Sequence, residues 1–237
     1  LYSLFFEAIG TVILTIAWME DYDFAKAFFY AAFYSVSAFN NGGFSLFPNS
    51  LMSFHDKYFI TFTISMLYII GGIGFVVLMD IKRAKRWKKL SANSKLIIST
   101  IAGLNLVAFI LLWAIEANNP LTLAPMSMGD QALNAWFHAT VPRSSGFNSL
   151  ELSNMSDAST LVTMILMFIG GGSLSTAGGI KVGTFIIVVL SVITFLRRSE
   201  ELRIFDQSVA KATSFKALAV VSITAILIFM GHLAYYS

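Results

Sequence analysis

The chain contains no cysteine. That excludes disulfides, thiolate metal sites and cysteine nucleophiles, and leaves the compartment open. Charge is scarce as well. Only 12% of the 237 residues are Asp, Glu, Lys or Arg, about half the share of a typical soluble domain. With 57% hydrophobic residues and a mean hydropathy of +0.74, a soluble globule of this size could not bury its apolar surface, so an integral membrane protein is expected. The histidines have no metal-ligand spacing, and His138 reads as a packing residue. No signal peptide with a cleavage site precedes the first apolar run, which opens on Leu1; a fragment or processed product is expected.

What the chain has instead is apolar runs of two lengths. Residues 1–19, apolar apart from Glu7, are long enough to span and end at Glu20, Asp21 and Asp23. Residues 58–81, 96–115 and 215–236 are further spans. Residues 27–44, AFFYAAFYSVSAFNNGGF, are too short to cross, since a spanning helix needs about 20 residues. They read as a helix that enters the membrane, turns at Asn40-Asn41-Gly42-Gly43-Phe44 and returns. Residues 131–141 form a second short helix before Pro142-Arg143-Ser144-Ser145-Gly146-Phe147-Asn148. Glu7 is either a buried polar contact or a residue near a cytoplasmic end. The fold class expected is an all-α integral membrane protein of repeated span–re-entrant pore loop–span units, potassium-channel-like, with one broken span.

Lysine and arginine set the orientation. Lys82, Arg83, Lys85, Arg86, Lys88, Lys89 and Lys95 crowd one loop; Arg197, Arg198, Arg203, Lys211 and Lys216 follow the broken span. The positive-inside rule puts both regions in the cytoplasm, the first as a topology anchor touching anionic lipid and not as a nucleic-acid site. Both re-entrant loops then open outward, and their acidic rims attract cations.

The two loops are copies. Phe44 and Phe147 lie 103 residues apart, and that offset sets Gly43 on Gly146, Gly42 on Ser145 and Asn41 on Ser144. Each short helix would point its carbonyl end, the negative pole of its dipole, at mid-membrane. Non-helical backbone at that depth is tolerated where protein buries it or it lines a water-filled cavity. Carbonyls of such a return strand can replace the hydration shell of potassium, and glycine lets them align. Taken singly, Asn-Asn-Gly-Gly and Arg-Ser-Ser-Gly are also ordinary turn sequences; the aligned pair favours a filter of Asn41, Gly42, Gly43 and Phe44 with Ser144, Ser145, Gly146 and Phe147.

Residues 159–196 would run to about 57 Å as one helix, against a hydrocarbon core of about 30 Å. The break is written in residues 170–183: Gly170, Gly171, Gly172, Ser173, Leu174, Ser175, Thr176, Ala177, Gly178, Gly179, Ile180, Lys181, Val182 and Gly183. A small, hydroxyl-rich loop below a filter suggests a gate, with Lys181 repelling cations or anchoring the closed loop. The alternative is a packing hinge whose Lys181 snorkels to the surface.

SAFNNGGFSL, RSSGFNSL and GGGSLSTAGGIKVGT together resemble the ion-translocating membrane subunit of the Trk/Ktr potassium uptake family, closer to the Ktr type. The resemblance covers nearly the whole chain. It implies potassium as the transported ion with no cofactor, four pore-loop repeats in one pore, and one filter glycine per repeat, here Gly43 and Gly146. It makes residues 1–81 the second repeat, 82–95 a cytoplasmic basic loop, 96–198 the third repeat with its intramembrane gate loop, 199–214 a cytoplasmic amphipathic segment and 215–237 the first span of the fourth. It further implies the bilayer of the bacterial cytoplasmic membrane, a homodimer, a cytosolic nucleotide-binding regulatory ring, and first and fourth repeats outside this chain. Gly42 stands where the family more often has alanine. Arg143 becomes a structural residue beside the ion path, with a carboxylate as its expected partner.

Two other functions compete. A two-loop potassium channel should carry a filter close to T-V-G-Y-G, which neither loop does. An intramembrane serine protease would use Ser173 as nucleophile and His232 as base, but leaves the paired loops unexplained.

Overall fold

The computed structural model describes residues 2–143, 145–198, 202–205 and 207–236; the side chains of Arg203, Gln207, His232, Tyr235 and Tyr236 are not described. The chain is 69% helix. Helices α1 (Tyr2–Trp18), α2 (Phe24–Phe39) and α3 (Tyr58–Ile73) pack against one another as one cluster. Asp23 caps α2 by accepting from the Lys26 N–H, which fixes where the short helix begins. Gly10 lets α1 lie flat on its neighbours: a Cβ there would sit 2.5 Å from Ser35 Oγ and 2.7 Å from Leu67 Cδ1.

The core of this cluster is aromatic. Trp18, Tyr34, Phe137 and Phe147 are almost fully buried, and the Tyr34 ring meets Trp18 at 5.2 Å and Phe47 at 5.5 Å. Such rings supply large buried area in fixed orientations, so they set the position of the loop that runs between them.

Past Ile73 the chain turns by 92° into α4 (Phe75–Ala84). The sequence reading expected one continuous span over residues 58–81. The cause of the bend is Gly74, whose φ of +102° belongs to glycine, and whose missing Cβ leaves room for the Ser173 carbonyl. A second span is therefore broken, besides the one the sequence declared.

Helix α5 (Ala92–Glu116) starts at the Ser91 cap, and Asp80 on α4 accepts from Ser91 N and Oγ, closing the basic turn. The second short helix, α6 (Met128–Thr140), is capped by Ser127. The broken span is α7 (Asp157–Phe168) and α8 (Val182–Leu196), 12 and 15 residues long. At about 1.5 Å per residue these measure roughly 18 and 22 Å, so neither alone crosses a hydrocarbon core of about 30 Å. Strands β1 (Leu202–Ile204) and β2 (Gln207–Val209) pair antiparallel, with Leu202 opposite Val209. Helix α9 (Lys211–Tyr236) closes the chain with much of its apolar surface exposed.

By length and composition, α5 and residues 211–231 of α9 can each cross a membrane, and the bent α3–α4 pair makes a third candidate among the described residues.

Candidate filter and intramembrane loop

Helix α2 ends in a closing turn that sequence alone only hinted at. Asn41 takes the left-handed conformation with φ of +52°, which asparagine tolerates better than most residues. Its N–H donates to the Ala38 carbonyl (3.0 Å) and the Gly42 N–H reaches back to Ser37 (2.8 Å). This pair of bonds is the Schellman arrangement. Asn40 adds its side-chain amide to the Glu7 carboxylate (2.9 Å) and to the Val36 carbonyl. Glu7 is thus a buried polar contact within α1, at the foot of this turn.

The return strand is held from behind by its own helix. Ser37 Oγ donates to the Phe44 carbonyl (2.9 Å), and the Tyr34 hydroxyl accepts from the Leu46 and Phe47 N–H groups. On the second loop, His138 Nε2 accepts from the Leu150 N–H (3.2 Å), and Ser149 Oγ donates to Asn134 Oδ1 (2.6 Å). His138 is thus a buried positioning group, tied to the strand. The two return strands are joined to each other by Leu51 N–H on the Asn148 carbonyl (2.9 Å) and Asn148 N–H on Ser50 Oγ (3.1 Å).

The two aligned glycines come together. Both adopt positive φ, +67° at Gly43 and +73° at Gly146. A Cβ on Gly43 would strike the Ser145 carbonyl and lie 2.8 Å from Gly146 Cα; one on Gly146 would lie 3.1 Å from Gly43 Cα. Only glycine satisfies both the dihedral and the approach. Ser145 is buried behind its loop, and its Oγ donates to Asn41 Oδ1 (3.4 Å). Gly42 stands exposed beside the Phe44 ring. Ser144 lies outside the described residues. The two phenylalanines differ: Phe147 is buried against Tyr34 of α2 (6.0 Å between rings), whereas Phe44 is 70% exposed.

The loop between α7 and α8 lies directly under the first glycine turn. Its stems are zipped by Gly170 N–H on the Ile180 carbonyl (2.8 Å) and Val182 N–H on Gly171 (2.9 Å). It docks on the Gly74 bend through Gly172 N–H on the Gly72 carbonyl (2.7 Å) and Phe75 N–H on Leu174 (3.1 Å). Gly170 and Gly172 approach the Gly178 and Ile73 carbonyls so closely that no side chain fits at either position. Thr176 Oγ1 donates to the Phe39 carbonyl (3.1 Å) and accepts from the Asn41 amide (2.7 Å). Lys181 donates to the Ala177 carbonyl (2.6 Å), inside the loop. Ser173, Leu174, Thr176, Gly178 and Gly179 keep exposed surface, and Ser175 is half-buried. The side chain of His232 lies outside the described residues, so the protease pair has only Ser173 placed.

Arg143 is buried beside a small cavity of about 20 Å³ lined by Asn41, Tyr68, Thr140 and Gly171, among others. The sequence reading expected a carboxylate partner. Among the described residues Arg143 has no ion pair, and its Nε makes no hydrogen bond. Nothing in the sequence signalled the roles of the Asn41 and Thr176 side chains, because turn propensity and loop composition speak only about backbone.

Comparison with known proteins gives one consistent result. The family model TrkH, described as cation transport protein, matches residues 1–234. Ktr system potassium uptake protein B of Bacillus subtilis is 39% identical over 234 residues, covering 99% of this chain and 53% of that protein. Ktr system potassium uptake protein B of Vibrio alginolyticus is 38% identical over 227 residues, covering 94% and 50%. The crystal structure of the potassium transporter TrkH from Vibrio parahaemolyticus matches with a TM-score of 0.75 at 20% identity, over 95% of this chain and 48% of that one. The chain spans about half the length of the curated relatives it matches.

Proposed function

The chain belongs to the TrkH family of cation transport proteins, and on that footing we propose that it supplies half of a potassium uptake pore, with its filter formed partly by residues 41–44 and 144–147. The observation that carries this reading is the contact of Gly43 with Gly146, each in left-handed conformation, each in the turn that follows a short helix. Two such turns side by side present backbone carbonyls toward one path, at the carbonyl ends of two helix dipoles, where a dehydrated cation is favoured. The family is one of transporters and not of enzymes, which removes the protease reading with Ser173 and His232.

The exposure of Phe44 supports a ring of more than two loops. Phe147 packs on the short helix of the preceding unit; Phe44 has no such helix among the described residues and is bare. First and fourth repeats of the same parent would cover it. On this reading residues 1–81 and 96–198 are two pore-loop repeats, 215–237 begins another, and the loop of residues 170–183 gates the path from below. Lys181 anchors that loop through Ala177 and does not snorkel. The basic residues 82–95 and the segment 199–214 face the cytoplasm in a bacterial cytoplasmic membrane, where they would face a nucleotide-binding regulatory ring, and the parent would form a homodimer. Nucleic acid has no part in it.

The test is rubidium uptake into proteoliposomes holding the full-length parent, with potassium or sodium as competitor. Uptake blocked by potassium and barely by sodium supports the filter. Equal block by both ions, or no uptake under any gradient or nucleotide, overturns it.

A further inference from the structure

Among the described residues, the Thr176 side chain of the loop 170–183 hydrogen-bonds to the first glycine turn. Helix α2 spends its last turn on the Schellman bonds, with Asn41 N–H on Ala38 and Gly42 N–H on Ser37. The Phe39 carbonyl, left over at the negative pole of the helix, is met by the Thr176 hydroxyl (3.1 Å). The same oxygen accepts from Asn41 Nδ2 (2.7 Å), so the hydroxyl both donates and accepts. The Asn41 amide is itself shared. It also donates to the Tyr68 carbonyl of α3 (3.3 Å), and its oxygen takes the Ser145 hydroxyl of the second filter loop (3.4 Å). Asn41 is 8% exposed, so these bonds hold a side chain that water barely reaches. Gly71 makes the approach possible, because a Cβ there would collide with the Phe39 carbonyl and sit 3.1 Å from Thr176 Oγ1.

We propose that Thr176 is a latch holding the intramembrane loop closed against the first filter turn, and that the Asn41 side chain links this latch to the second filter loop through Ser145. The proposal rests on the reading of residues 170–183 as a gate. When the loop leaves, the Phe39 carbonyl and the Asn41 amide lose their shared partner, and Asn41 is free to rotate off Ser145. The state of the gate and the order of the filter are then one equilibrium, and each must influence the other to the same extent. Thr176 is a positioning residue here, since it acts on the ion path through Asn41 and the loop.

The experiment uses the full-length parent in proteoliposomes, with any cysteine outside this chain removed and Ser173→Cys as a probe for a water-soluble maleimide. Thr176→Val keeps the β-branched shape and removes both hydrogen bonds. It should raise basal rubidium flux and the labelling rate of that probe roughly fivefold, an equilibrium shift of about 1 kcal/mol at 1.36 kcal/mol per factor of ten. Any loss of preference for potassium over sodium should appear only together with the faster labelling. Thr176→Ser should bring flux and labelling back toward parental values. In the parent the labelling rate should differ between potassium and sodium, and Thr176→Val should abolish that difference.

A loop-shortened variant separates the two readings. If shortening raises flux and Thr176→Val changes neither flux nor labelling, the gate stands and the latch is refuted. If shortening leaves flux unchanged, the gate fails, and unchanged labelling in Thr176→Val then removes the anchoring role too. Loss of potassium preference without faster labelling would make Thr176 a prop of the filter and overturn the latch.

Discussion

Gly43 and Gly146 are aligned copies, yet alanine should harm them unequally. Both residues sit at positive φ, so alanine at either costs about 1–2 kcal/mol in backbone strain. The contacts differ. On Gly43 the new methyl falls on the Ser145 carbonyl, with Gly146 Cα at 2.8 Å and Ser145 C at 3.1 Å. These are backbone atoms of the second filter loop, and they cannot rotate aside. On Gly146 the nearest atom is Gly43 Cα at 3.1 Å, and the next lie at 3.9 Å. Overpacking of the first kind costs about 1–3 kcal/mol, and at Gly43 it is delivered to a carbonyl we assign to the ion path. A change of 1.36 kcal/mol in the relative stability of bound ions is a factor of ten. Gly43→Ala should therefore lower potassium-over-sodium preference by roughly tenfold or more, and Gly146→Ala by about two- to threefold. Competition of potassium and sodium against rubidium uptake, normalised to protein incorporated, measures both. Equal losses, or a larger loss at Gly146, would refute the reasoning, because backbone strain alone would then account for the result.

Other predictions follow from other contacts. Shortening residues 170–183 should raise basal rubidium flux; a fall would make the loop structural. Glu116, almost fully buried, accepts from Ser156 N (2.9 Å), Ser156 Oγ (2.7 Å), Asn119 Nδ2 (2.7 Å) and Thr122 Oγ1 (2.5 Å), fastening the end of α5 to the start of α7. Glu116→Ala leaves these donors unmet and should destabilise the detergent-solubilised protein by about 2–3 kcal/mol, read as a lowered unfolding midpoint, with ion preference unchanged. An unaltered midpoint would mean that water replaces the carboxylate at no cost. Gly74→Ala should both strain the bend and push the Ser173 carbonyl, so maleimide labelling in a Ser173→Cys background should quicken; unchanged labelling would show that the bend and the loop are independent.

The sequence disclosed what composition and glycine can disclose. Short apolar runs closed by Asn-Asn-Gly-Gly and Arg-Ser-Ser-Gly correspond to α2 and α6 and the turns beyond them. An apolar stretch too long to cross corresponds to α7 and α8 with a loop between. Side-chain partners were not legible. Asn41 reads as a turn residue, and its placement against Thr176 and Ser145 depends on segments 135 and 104 residues away. That Arg143 has no ion pair among the described residues could not be foreseen either, since pairing is a matter of what the fold brings near. The pairing of β1 with β2 hid within a stretch whose charge pattern suited a surface segment of any shape.

The bend at Gly74 escaped for a more instructive reason. Residues 58–81 have the length and hydropathy of an unbroken span, and a lone glycine costs a helix only about 1 kcal/mol. A break there would ordinarily be forbidden, because freed N–H and C=O groups in a hydrocarbon core cost several kcal/mol each. The cost is avoided because two breaks meet. The first N–H of α4, at Phe75, donates to the Leu174 carbonyl of the intramembrane loop, and the Gly172 N–H of that loop donates to the Gly72 carbonyl at the end of α3. Each interruption thus supplies the hydrogen-bond partners the other has lost. A sequence read segment by segment can detect an interruption long enough to announce itself, as in residues 170–183, but not one that a distant interruption stabilises. The same reciprocity couples the two breaks: if residues 170–183 gate the path as proposed, opening the loop strips Phe75 and Gly72 of their partners and favours a straighter α3–α4, which makes the Gly74 bend a second moving part.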